Sequence, residues 1–272
     1  MTGEPVLRVE DVVKRFAFAG EVVTAVDHVS FAVAAGEFVS VVGPSGCGKS
    51  TLFNVIGGLV DADEGRIVIE DQLVRGPHPA IGMVFQEDST FPWRTVIENV
   101  AFPLELAGAA KAERLARARD YLALVGLAGF AAHYPAQLSG GMRQRVALAR
   151  TLAFRPKILL MDEPFAALDE QTRRLLGDKV LEIQQQLAQT TLLVTHNIAE
   201  AVQLSDRVVV MSYRPGRVKQ IVDIDLPRPR TPDIVDGEPF GRHVAAIWHD
   251  LRAEASRGLV DAEALTMRGA PG

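Results

Sequence analysis

An α/β protein is predicted, built on a mostly parallel sheet with helices on both faces. Two observations carry that prediction. Four short, nearly continuous apolar runs, Phe38 to Gly43, Ile158 to Met161, Leu192 to Thr195 and Val208 to Met211, have the length and character of strands buried on both sides. Amphipathic stretches separate them, and strand-helix alternation of this kind is the signature of a parallel sheet. The chain has 272 residues, 48% of them hydrophobic, which suits one large α/β domain with an inserted subdomain or a tail.

Each element has its own local reason. The segments LRVEDVV and TAVDHVSFAV, separated by a turn at Gly20, are rich in β-formers, as is FVSVVG, which ends in a glycine-rich turn. Lys49 to Leu59 reads as a helix, Arg66 to Glu70 and Ile81 to Gln86 as strands, and the FAFAGEVV stretch as irregular. From about Ser89 to Arg155 the character turns helical, with Leu115, Ala118, Leu122 and Val125 at helical spacing. After the strand at 158–161, a helix is predicted with Leu176, Val180, Ile183 and Leu187 on its apolar face. The prolines 227, 229 and 232 mark a break, and Phe240, Val244, Ile247 and Leu251 predict one amphipathic helix in the tail.

Composition narrows the function. With 29 Lys+Arg against 34 Asp+Glu, the formal net charge is −5, so the positive field that draws proteins to nucleic acid is missing and no nucleic-acid partner is expected. A single cysteine, Cys47, excludes an internal disulfide and fits a reducing compartment. No run approaches the roughly 18 apolar residues of a membrane span, and the charged N-terminal residues Glu4, Arg8, Glu10 and Asp11 offer no signal peptide, so a cytoplasmic chain is expected.

The strongest chemical signal is Gly43-Pro44-Ser45-Gly46-Cys47-Gly48-Lys49-Ser50-Thr51, which satisfies GxxxxGK[ST] between a buried-type strand and a helix. Glycines let the backbone wrap phosphates with its N–H groups inward, and the helix adds its positive N-terminal end. Lys49 would reach the β- and γ-phosphates, and Ser50 would offer its hydroxyl to Mg²⁺. Cys47 lies where the helix N-terminus and Lys49 would lower its thiol pKa, yet the position tolerates many residues and is read as an incidental, nucleotide-sensitive thiol.

Two further features belong with it. The apolar strand at 158–161 runs into Asp162-Glu163, and residues at the C-terminal ends of parallel strands face the ligand crevice. Asp162 would hold Mg²⁺ or its water, and Glu163 would polarise an attacking water. Ser139-Gly140-Gly141 opens another helix and is a second anion cradle; taken alone it would be only a cap and a turn. Two cradles for one set of phosphates imply that the second acts on a nucleotide held elsewhere.

GPSGCGKST, LSGGMRQR and ILLMDEP, in that order, resemble the ATP-binding cassette of ABC transporters over about residues 6 to 225. Gln86 in VFQED matches the Q-loop, Ala167-Leu168-Asp169 the D-loop, and His196 in LLVTHN the switch histidine. The resemblance implies a P-loop NTPase (RecA-like) core with an N-terminal antiparallel β-subdomain, an inserted helical subdomain at about 89–155, and a short extension at 226–272. It implies a head-to-tail dimer, each ATP held by the phosphate loop of one copy and by Ser139, Gly140 and Gly141 of the other. Glu163 would then be the general base, His196 would contact the γ-phosphate, Gln86 would touch Mg²⁺ and water, and Asp169 would cross the dimer interface. Adenine would stack on Phe16, with Phe18 the fallback.

Within the family, FQEDSTFPWRTVIENV, YRPGRV at 213–218 and DLPRPR at 225–230 resemble the nitrate, sulfonate and taurine importer group. That implies a subunit at the cytoplasmic membrane face working with a separate permease and an extracytoplasmic binding protein, permease docking near Gln86 to Glu98, and no large regulatory domain. Asn197, where Asp is common, and Ala166, where Gly is common, are mild departures that remove no catalytic group. A DNA-maintenance ATPase would need a coiled-coil insertion that the Gln86–Ser139 segment is too short to hold. A translation-associated ATPase usually carries two cassettes and basic surfaces, and a kinase or GTPase would leave LSGGMRQR without a use.

Overall fold

The computed structural model describes residues 4–18, 20–87 and 89–268. In chain order the strands are β1 (Pro5–Phe18), β2 (Glu21–Ala34), β3 (Phe38–Val42), β4 (Glu64–Ile69), β5 (Gln72–Leu73), β6 (Ile81–Val84), β7 (Ile158–Asp162), β8 (Thr190–Thr195), β9 (Arg207–Met211) and β10 (Val218–Asp223). The helices are α1 (Lys49–Ile56), α2 (Val96–Leu106), α3 (Lys111–Leu124), α4 (Gly140–Ala153), α5 (Glu170–Leu187), α6 (Ile198–Leu204) and α7 (Glu238–Arg268). Two compact units result, one of residues 1–78 with 193–272 and one of residues 79–192, and the chain passes between them inside β8.

In the first unit an antiparallel sheet has the order β2-β1-β4-β5. Val29, Phe31 and Val33 on β2 are buried in alternation with exposed Ser30 and half-buried Ala32, the period-two pattern of a strand with one face on the core. Where an irregular stretch was expected around FAFAGEVV, the hairpin continues: Phe16 pairs with Val23 and Ala17 with Val22. The irregularity falls earlier, at register shifts between Val9 and Lys14, where Asp11 takes a positive φ of 52°.

The same unit carries β3, parallel to β9, with β10 antiparallel on β9. Every residue of β3 is buried, which is why its sequence is apolar rather than alternating. The helix after it ends at Ile56 rather than Leu59, because Gly57 caps it and Gly58 turns at φ 71°, where a Cβ would lie 2.0 Å from the Gly76 carbonyl oxygen. The tail helix packs Phe240, Ile247 and Leu251 on Val42, Ala201, Val202, Val208 and Val210.

In the second unit β6 and β7 pair in parallel, Ile81 opposite Ile158 through Val84 opposite Met161. Ile81 to Gln86 was expected as one strand; it stops at Val84, the last residue paired, and Phe85 and Gln86 are exposed. The helical segment contains α2, α3 and α4. Helix α2 starts on a capping box in which Thr95 Oγ1 accepts from the Glu98 amide and Glu98 accepts from the Thr95 amide. On α5, Leu176, Val180 and Ile183 are buried as expected, whereas Leu187 is exposed: it is the last helical residue before Ala188 turns left-handed at φ 47°.

Candidate functional site

The first unit holds the glycine-rich loop of residues 43–51, Phe16 and His196. Gly43 to Gly48 leaves the end of β3 and enters α1 at Lys49, so the loop is anchored on a buried strand at one side and a helix at the other. Gly43 has no room for a side chain: a Cβ would stand 2.7 Å from Cys47 Sγ. Gly46 and Gly48 sit at φ 74° and 99°, a left-handed conformation that only glycine takes at little cost. Gly48 is the N-cap of α1 and brings no side-chain cap, so the positive N-terminal end of that helix opens directly on the loop. Lys49 is 5% exposed, and its Nζ donates to the carbonyl oxygens of Gly43 at 2.9 Å and Pro44 at 3.0 Å. Its ammonium therefore lies within the loop rather than in solvent. Ser45 and Ser50 are exposed, and Pro44 and Thr51 are half-buried.

The expectation of a lowered thiol pKa at Cys47 is overturned. The side chain is fully buried, and burial pushes its pKa up, outweighing the opposing Lys49 charge.

His196 is exposed directly after β8, held by its neighbours. Thr195 Oγ1 donates to Glu200 Oε2 at 2.7 Å and accepts from the Asn197 amide at 3.0 Å, and Asn197 Oδ1 caps α6 through the Glu200 amide. Asn at 197 is thus explained, since the amide oxygen accepts that bond as a carboxylate would. Phe16 is on β1, 44% exposed, with Lys14 Nζ 5.5 Å from its ring centre; the Phe18 side chain lies outside what the structure describes.

The second unit brings together the other predicted residues. A cleft of about 640 Å³ is lined by Gln86, Glu87, Gly140, Arg143, Gln144 and Leu168, so the Q-loop, the Ser-Gly-Gly turn and the segment before Asp169 share one surface. Ser139 caps α4, its Oγ accepting from the Met142 amide at 3.3 Å. Gly140 is exposed, whereas Gly141 is buried against α5, where a Cβ would meet Thr172 Cγ2 at 2.5 Å. Asp169 caps α5 through the Thr172 amide, which holds its carboxyl below the usual range.

Asp162 ends β7, and Glu163 follows at φ 43°, closed into a tight turn by the Ala166 amide on its carbonyl. A left-handed glutamate costs about 1–3 kcal/mol, the kind of backbone strain that collects at functional sites. Both residues are half-buried.

Sequence reasoning missed the residues that shape the segment after Gln86. Asn99, buried in α2, donates from Nδ2 to the carbonyls of Phe91, Arg94 and Thr95 and accepts from the Phe91 amide. Arg150 donates to Ser89 and lies over the Phe91 ring at 5.1 Å, and Gln144 Nε2 donates to the Phe85 carbonyl. The only signal for them was a polar residue among apolar helical neighbours.

Residues 26–166 match the family model described as ABC transporter. An uncharacterised ABC transporter ATP-binding protein of Methanocaldococcus jannaschii is 50% identical over 90% of this chain and 91% of its own. The taurine import ATP-binding protein of Rhizobium johnstonii is 49% identical over 77% of this chain and 80% of its own. A dimeric ATP-binding cassette solved in a post-hydrolysis state with ADP and Pi superimposes with a TM-score of 0.72 at 33% identity, covering 81% of this chain and 100% of that one. With a glycine-rich loop closed around Lys49 and Asp162-Glu163 at the end of a buried strand, the chain belongs to the ABC transporter family and is an ATPase of its P-loop fold.

Proposed function

We propose that this chain is the ATP-hydrolysing subunit of an importer for a small anionic or zwitterionic solute of the nitrate, sulfonate or taurine kind. It would work at the cytoplasmic face of the membrane with a separate permease and, through it, an extracytoplasmic binding protein. The observation that carries this reading is the pair of anion cradles, the loop at Gly43–Thr51 and the capped turn at Ser139–Gly141. Support for import comes from the taurine import relative and from the segments that resemble its group.

In this reading the loop amides and Lys49 bind the β- and γ-phosphates, and Phe16 stacks on adenine. Ser50 and Asp162 are oxygen donors of the kind Mg²⁺ prefers, with Gln86 beside them in role, so the residues fit that ion. Mg²⁺, when bound, supplies charge neutralisation for phosphoryl transfer. Glu163 takes the proton of the attacking water, and His196 senses the γ-phosphate from its fixed place between β8 and α6. Ser139, Gly140 and Gly141 close on the ATP of a second copy, and Asp169 faces that copy. ATP affinity for the closed dimer drives the permease, and hydrolysis resets it.

The permease would dock along Gln86 to Glu98. There Trp93 is 72% exposed, and a groove of about 260 Å³ is lined by Phe91, Phe102, Pro103, Leu106 and Phe154. An exposed aromatic beside an apolar groove is the profile of a protein contact. The test is to isolate the tagged chain from native membranes in mild detergent. Recovery of a multi-spanning permease is the expected result; recovery of only ribosomes, nucleic acid or soluble proteins would overturn the transport reading and leave the ATPase chemistry in place.

A further inference from the structure

The turn between β9 and β10 is stitched to the phosphate loop. Arg214 Nε donates to the Gly46 carbonyl oxygen at 2.8 Å, and its guanidinium fills the space that a side chain at Gly46 would need. Two residues on, Gly216 presses against the next peptide, since a Cβ there would stand 2.1 Å from the Cys47 carbonyl oxygen. The turn is itself held to β2: the Gly216 amide donates to the Ala25 carbonyl at 3.1 Å, and the Asp27 amide donates to the Gly216 carbonyl at 2.9 Å.

A peptide unit is planar, so a bond to its carbonyl also sets the direction of its N–H. Arg214 therefore fixes the Gly46–Cys47 peptide, whose amide donates to the Pro44 carbonyl oxygen at 3.3 Å and so holds the turn of the loop. Gly216 constrains the Cys47–Gly48 peptide, whose N–H is one of the groups with which a loop of this kind cradles phosphate. The far end of the turn is held by the tail helix. Glu254, 5% exposed on α7, accepts from the Tyr213 amide at 3.0 Å and from Lys219 Nζ at 3.3 Å. Contacts thus run without a gap from α7 to the phosphate loop: Glu254, Tyr213, Arg214, Gly46.

We infer that Arg214 is a positioning residue for the phosphate loop, and that the C-terminal helix sets the loop's affinity for the phosphates of ATP by holding Arg214 through Glu254. This rests on the loop being the ATP phosphate site. An Arg-to-carbonyl bond that orients a loop before the ligand arrives acts on binding more than on the chemical step, so its loss should raise KM and spare kcat.

The test uses the full chain and steady-state ATP hydrolysis, with thermal melts to confirm folding. Arg214→Ala should raise KM for ATP about tenfold and change kcat less than about threefold, with Arg214→Lys in between. Glu254→Ala should raise KM about threefold, Glu254→Gln should restore most of it because its carbonyl still accepts from Tyr213, and Glu254→Ala should add nothing in the Arg214→Ala background. A KM within twofold of the parent for folded Arg214→Ala overturns the inference, as does full additivity of the two changes. Lys49→Ala separates the two failures: lost ATP binding upholds the loop as the phosphate site whatever Arg214 does, and normal ATP binding overturns both.

Discussion

At the scale of single residues, environment decides what each group can do, and Cys47 shows it most simply. A helix N-terminus and a lysine argue for a reactive thiolate, but the side chain is sealed beneath the loop between Gly43 and α1, and desolvation wins. Cys47 in the folded chain should therefore react with a maleimide far more slowly than an open thiol at pH 8, and at the open rate after denaturation in urea; equal rates in both would contradict the burial. The residues proposed to carry chemistry, Lys49, Glu163, His196 and Ser139, could be singled out in the sequence because their spacing and their strand-helix surroundings form a pattern that such chemistry requires. Asn99, Arg150 and Arg214 were not, because each acts through contacts far away in sequence, and no local pattern announces such a contact. Glu163 was legible as a carboxylate but not as a left-handed one, since its φ of 43° comes from the turn closed by Ala166.

At the scale of elements, strands and helices were read well where burial repeats with a clear period, and poorly at their ends. Helix α3 is periodic and strands β3, β7 and β9 are almost continuously apolar, and they lie close to where their patterns put them. The ends of α1 and β6 were missed by three and two residues because a glycine cap and a lost strand partner settle them, and Leu187 is exposed because α5 ends there at a left-handed alanine. The start of α2 has its own chemistry. Glu98 accepts from the Thr95 amide and hydroxyl, and these bonds hold its carboxyl below the usual range. A depressed carboxylate pKa contributes stability that is present above the unfolded value of about 4.3 and is lost as pH falls through the folded value. Protection of the first-turn amides of α2, taken relative to their intrinsic exchange rate at each pH, should thus fall below pH 4, and Glu98→Gln should remove that dependence. Unchanged protection from pH 6 to pH 3 would show that the box does not depend on charge.

At the scale of the whole molecule, the α/β class and the order of motifs were legible, whereas the division of the chain into residues 1–78 with 193–272 and residues 79–192 was not, because it follows contacts rather than composition. Among the described residues no helix is long and apolar enough to cross a membrane. The tail is not an appendage: Ile247 and Leu251 of α7 are buried on the residues that back β3 and β9. Ile247→Ala should accordingly cost about 2–5 kcal/mol in urea unfolding, while Trp248→Ala, next to it but exposed, should stay within about 0.5 kcal/mol. The central claim is that the phosphate loop of one copy and the Ser139 turn of another close on the same ATP. Its most direct measurement is the mass of the Glu163→Gln chain by sedimentation, with and without ATP. The account predicts a stable dimer that holds two ATP molecules and falls apart when ATP is removed. A chain that binds ATP yet sediments as a monomer at every concentration would contradict it.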